Sequence, residues 1–124
     1  MRFGERDEFY LSARWKRVAR RIMVRDGYQC QVAKRYGKTI QADIVHHIFP
    51  RELYPMYEWS EWNLIAVSKR AHAKLHTDTG DLTEIGKDLL RRTAKKNNIQ
   101  IPEKYMERPR KQTSRKSMPE PVYG

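Results

Sequence analysis

Four histidines occur in this chain, all within one 31-residue window, as two close pairs, His46-His47 and His72-His76, with Asn63 between them. Imidazole exchanges its proton near neutral pH and, when neutral, binds divalent cations. An adjacent pair followed by a pair four apart suffices to hold a cation and leave one ring as a general base. If His46 and His47 end a strand, their side chains point to opposite faces and take different jobs. His72 and His76 share a face if they lie on one helix. One strand imidazole and two helix imidazoles then make a three-nitrogen cation site with an open position for phosphate, and His47 is left as the base. Taken singly, each histidine reads as an ordinary hydrogen-bonded residue. The set, with Asn63, points to chemistry.

The elements that must position these rings are legible from spacing. Trp15, Val18, Ala19, Ile22 and Met23 recur at helical intervals, which predicts a helix over 12–25 capped by Ser12 and stopped by Asp26-Gly27. Its other face carries Arg14, Lys16, Arg17, Arg20, Arg21 and Arg25. Residues 28–41 read as irregular, with a turn at Tyr36-Gly37-Lys38. A strand is expected over 42–47, ended by Pro50, and a second over 63–67. The loop between them holds Tyr54, Tyr57, Trp59 and Trp62, read as core anchors rather than base-stacking groups. A helix is expected over 68–77, closed near Gly80, and another over 83–96.

Composition bounds the partners. The chain has 124 residues, 26 Lys and Arg against 15 Asp and Glu, a net charge of +11 and one cysteine. That length fits one domain, expected over 1–106 with the motif core at 42–77. Residues 107–124 are rich in Pro, Ser and basic side chains (Arg108, Arg110, Lys111, Arg115 and Lys116) and read as a disordered tail. The positive field attracts polyanions, so DNA or RNA is the expected partner. No apolar run is long enough for a membrane span, the first residues lack a signal-peptide core, and a lone Cys30 fits a reducing cytoplasm.

Val45-His46-His47-Ile48-Phe49-Pro50, then Asn63-Leu64 opening a second strand, then His72-Ala73-Lys74-Leu75-His76, resembles the HNH endonucleases, the ββα-metal group. The resemblance spans about Phe9 to His76 and includes the upstream Phe9-Tyr10-Leu11-Ser12 and Trp15 region. The three letters of the name correspond to His47, Asn63 and His72. The fold so implied is α+β: a ββα-metal hairpin-helix core with flanking N- and C-terminal helices. The roles so implied are His47 as general base, His46 and His72 as ligands of one divalent cation, His76 as a third ligand or a phosphate contact, and Asn63 as the residue that holds the loop. Magnesium or manganese is the expected ion, with zinc or nickel as alternatives. The reaction implied is hydrolysis of DNA phosphodiesters, by nicking or double-strand cleavage, to 5′-phosphate and 3′-hydroxyl ends. The chain resembles the small stand-alone phage and bacterial members of this family, some of which, where phage-encoded, assist the terminase in genome packaging.

Many members of the family carry a zinc knuckle of two Cys-x-x-Cys pairs. By register those positions are Cys30, Ala33, Ser68 and Ala71, so only one thiol remains and ordinary packing is expected instead. Arg51, Lys69, Arg70 and Lys74 lie near the motif as candidate phosphate contacts. Two other readings compete: an HNH-fold nucleic-acid-binding module without activity, and a small domain stabilised by structural zinc.

Overall fold

The computed structural model describes residues 8–106. Its elements in order are α1 (Glu8–Leu11), α2 (Ala13–Arg25), α3 (Gln31–Arg35), β1 (Ile44–His47), β2 (Leu64–Val67), α4 (Lys69–Ala73), α5 (Glu84–Asn97) and α6 (Glu103–Met106). Two 3₁₀ turns, Pro55–Tyr57 and Glu61–Asn63, lie between the strands. The basic tail at 107–124 and the first residues fall outside the described segment.

β1 and β2 form an antiparallel hairpin in the register Ile44↔Val67, Val45↔Ala66, His46↔Ile65 and His47↔Leu64. Directly opposed residues share a face, so Val45, His47, Leu64 and Ala66 line one side and Ile44, His46, Ile65 and Val67 the other. α2 packs on the first side, where Trp15, Val18, Ile22 and Leu64 form one buried cluster. Its length follows its chemistry: the Ser12 hydroxyl accepts from Trp15 N at 3.1 Å, and Asp26 caps the other end. The Arg25 guanidinium donates to the carbonyls of Glu61 and Leu64, while the Asp26 carboxylate accepts from Ala66 N at 2.9 Å. These bonds fasten the end of α2 to the start of β2.

The second side is covered by Cys30, Leu75 and the half-buried Val32, Ala33 and Ala71. Where the hairpin leads into its long loop, Ile48 and Phe49 pack with Leu82, Leu89, Leu90 and Ala94 of the α5 region and with Tyr105 of α6. Tyr54, Tyr57 and Trp62 pack against that cluster and Trp59 against the α2 cluster, so the loop aromatics anchor the loop. The architecture is the α+β hairpin-helix core expected.

Three boundaries differ from expectation. The segment read as irregular contains α3, a single turn too short for periodicity to register. α4 ends at Ala73 instead of 77: Lys74 N and Leu75 N bond back to Ala71 and His72 carbonyls, and His76 instead bridges Leu82. β1 begins at Ile44, because Gln41 pairs with Gln29 and so leaves the hairpin. Among the described residues, no helix is long and apolar enough to cross a membrane.

Candidate active site

His46 lies on the α4 side of the hairpin, near its loop end, and is 2% exposed. The chain doubles back after Val67 and brings His72 and His76 to it. The three rings meet edge to face, with centroids 5.2, 5.2 and 5.0 Å apart. One ring nitrogen from each lies within 4.8 Å of the others. His46 Nε2 is buried with no hydrogen-bond partner among the described residues, a costly state for a polar atom unless a ligand completes it. Burial first, then the neighbouring imidazoles, hold His46 well below the ordinary histidine range, and burial and His76 lower His72. Neutral rings with inward lone pairs are the form that ligates a cation. His76 Nδ1 lies 3.2 Å from the Gly80 carbonyl, which places the proton there and leaves Nε2 to coordinate. The donor set therefore fits a divalent cation.

His76 reaches this cluster by a different route from the one spacing suggested. It is held by the turn into α5. Thr83 caps α5 through Gly86 N, while its hydroxyl donates to the Lys74 carbonyl at 2.6 Å and its N–H to the Leu75 carbonyl at 2.9 Å. Gly86 lets α5 approach this closely, since a Cβ there would sit 2.5 Å from the Leu75 carbonyl oxygen.

His47 faces the opposite side of the strand. Its ring stacks on Trp15 at 5.1 Å with planes 20° apart, and Phe9 and Tyr10 flank it. His47 Nε2 lies 3.1 Å from the Glu58 carbonyl, so that nitrogen carries the proton and Nδ1 is the acceptor. Tyr10 Oη is 3.4 Å from Nδ1. Burial, with a contribution from the Arg51 cation, lowers the His47 pKa against the opposing pull of the Glu58 carbonyl. A neutral ring with a fixed tautomer can take a proton from water.

Asn63 is fully buried. Its Oδ1 accepts from Phe49 N at 2.7 Å, and its Nδ2 donates to the carbonyls of Phe49 and Tyr57, each at 3.2 Å. It thus ties both arms of the loop just beyond His47.

Among the cations near the motif, Lys69, Arg70 and Lys74 are exposed on or beside α4. Arg51 is engaged differently: it pairs with the Glu58 carboxylate at 3.2 Å and lies over Phe9 at 3.8 Å. The register positions of the lost knuckle do converge. The Cys30 thiol is buried, which alone would raise its pKa. Hydrogen bonds from Ala33, Ser68 and Val32 outweigh that and lower it, and Ala71 packs beside it.

Residue types gave no signal for Glu58 and Gly80, because their carbonyls do the work. Tyr10 stands 37 residues from His47, and only folding brings the two together.

No protein-family model matches this chain, and no curated protein does. Among solved structures, the chain matches the crystal structure of the deep-sea thermophilic bacteriophage GVE2 HNH endonuclease with manganese ion. The TM-score is 0.52 and the identity 24%, over 73% of this chain and 80% of that one. The two proteins share a fold, the HNH-type hairpin and helix that the motif resembled.

Proposed function

We propose that this protein is a metal-dependent endonuclease of the HNH type, hydrolysing phosphodiester bonds in DNA. One observation carries the reading: adjacent residues of a single strand put an unpartnered, buried imidazole into a three-histidine cluster and an oriented, neutral imidazole on the other face. A structural zinc site has no use for the second ring, nor for the Asn63 clamp that fixes the loop beside it.

In this reading His46, His72 and His76 hold one divalent cation. When bound, it supplies Lewis-acid stabilisation of the charge that develops on the phosphate and the leaving 3′ oxygen. Manganese in the phage endonuclease structure supports manganese or magnesium here, although an imidazole-rich set also takes zinc and nickel. His47 accepts the proton of the attacking water at Nδ1, and the Glu58 carbonyl steadies the resulting imidazolium through Nε2–H. Asn63 keeps the carbonyls of the loop in place, so His47 holds its aim.

Lys69, Arg70 and Lys74 make no ion pair among the described residues and are the phosphate contacts of choice. Arg51 joins them only by giving up part of its pairing with Glu58. We place the protein in the cytoplasm of a phage-infected host, on its likeness to the bacteriophage endonuclease. No described residue speaks for a terminase partner, and none is proposed. One active site cuts one strand, so nicking is the primary event.

The test is conversion of supercoiled plasmid by wild type and His47→Ala in Mg²⁺, Mn²⁺, Ni²⁺ or EDTA. Metal-dependent nicking that disappears in the variant is the expected result. Salt-sensitive DNA binding without cleavage in any metal would make the protein a binding module that has kept the fold.

A further inference from the structure

His47 is 6% exposed, yet a base must meet water; the ring that lies over its accepting nitrogen is Tyr10, 40% exposed. With Nε2–H committed to the Glu58 carbonyl, Nδ1 can only accept, so the Tyr10 phenol donates to it across 3.4 Å. The phenol is aimed by its surroundings. Phe9 and Trp15 meet its ring nearly at right angles with centroids 5.1 and 5.3 Å away, and the Arg51 guanidinium lies 5.3 Å above it. The Ser12 hydroxyl, which caps α2, also donates to the Phe9 carbonyl at 2.8 Å and so ties α1 to the start of α2.

Resting on the nuclease reading, we infer that Tyr10 is a positioning residue for hydrolysis: its hydroxyl marks the accepting nitrogen of His47 and then orients the attacking water there. A water bridging two heavy atoms by hydrogen bonds of ordinary length needs roughly 4.5–5 Å between them. The single-turn α1 must therefore swing outward by roughly 1–1.5 Å when water enters, a small motion for a one-turn helix. The water then gives one hydrogen bond to Nδ1 and the other to the phenol oxygen, which turns its lone pair toward phosphorus. As the new O–P bond forms, the proton passes to Nδ1. The bond from phosphorus to the 3′ oxygen breaks, and that oxygen leaves with the electron pair and is protonated by solvent.

Tyr10→Phe keeps the ring and its packing and removes only the hydroxyl. Measured beside wild type and His47→Ala in the metal that supports nicking, kcat is expected to fall by about tenfold or more, in the range of lost orientation effects. KM, DNA affinity and melting temperature should stay at wild-type values. Ring-nitrogen NMR of His47 should keep the Nε2–H form that the Glu58 carbonyl sets, while the Nδ1 resonance moves because it has lost its hydrogen-bond donor. A Tyr10→Phe enzyme with wild-type kcat, or one changed only in KM, overturns the inference while the nuclease stands. A wild type that cuts nothing in any metal removes the nuclease reading and this inference with it.

Discussion

Asn63 shows how much one buried side chain can organise. Its amide satisfies one backbone N–H and two carbonyls of the loop, and Asn63 and Phe49 are both fully buried, so the bonds between them cannot be replaced by water. Asn63→Ala leaves the Phe49 N–H unpaired and should cost about 1–3 kcal/mol of stability, read from the midpoint of chemical unfolding. Asn63→Asp keeps the acceptor but loses both donors, so it too should unfold earlier. A wild-type midpoint in both would show that the clamp is not a source of stability. The histidines make a second prediction. Burial lowers the pKa of His46, His47 and His72 below the unfolded value, which is about 6.5. Above that pH both states are neutral and no penalty arises. Below it the unfolded chain binds protons that the folded chain refuses, so stability is lost as pH falls. The melting temperature of the metal-free protein should be level above neutral pH and drop across the acid interval below about pH 6.5. A curve flat across that interval would mean the imidazoles are solvated.

α2 divides its cations by partner. Arg14 covers the Trp59 ring at 3.8 Å, Arg21 pairs with Glu61 at 2.8 Å, and Arg25 binds Asp26 and two loop carbonyls. These three fasten the loop on which Glu58 sits. Lys16, Arg17 and Arg20 are exposed and make no ion pair among the described residues. Replacing Lys16, Arg17 and Arg20 by Gln should leave melting unchanged and weaken DNA binding, with the salt slope falling by about one for each phosphate that is no longer neutralised. Arg25→Gln should do the reverse and lower the melting temperature. Equal affinity in the triple variant would place the DNA elsewhere, on the α4 cations first. A helical wheel displays all six charges as one basic face. The split depends on the loop packed against α2, which the helix sequence does not contain.

Three clusters of buried apolar side chains hold the hairpin, α2 and α5 together, and the one histidine ring stacked on a member of them is His47, on Trp15, not a ring of the three-histidine cluster. Chelation should therefore abolish cleavage and leave a cooperatively folded protein. The stability removed with the ion is its binding linkage, about 2.7 kcal/mol for a cation present at a hundred times its Kd. Unfolding on addition of EDTA, seen by circular dichroism, would instead support the structural-zinc reading. The net charge of +11 acts over the whole molecule as well, as an attraction for polyanions that loses strength with salt. Cys30, Ala33 and Ala71 pack together, and Ser68 hydrogen-bonds the Cys30 thiol.

Side-chain type and short-range periodicity were sufficient to read the α2 span with its Ser12 cap, the two strands and the opposite facing of His46 and His47. These follow from alternation along a strand, from 3.6-residue spacing and from local capping, all of which act within a few residues. Tertiary structure decided what depends on contacts between distant segments: the early end of α4 and the support of His76 by α5, the Glu58 carbonyl that sets the tautomer of His47, and the Tyr10 hydroxyl on its accepting nitrogen. Backbone carbonyls are common to every residue and leave no mark in composition. Which of them meets an imidazole is settled only when the loop closes around Asn63.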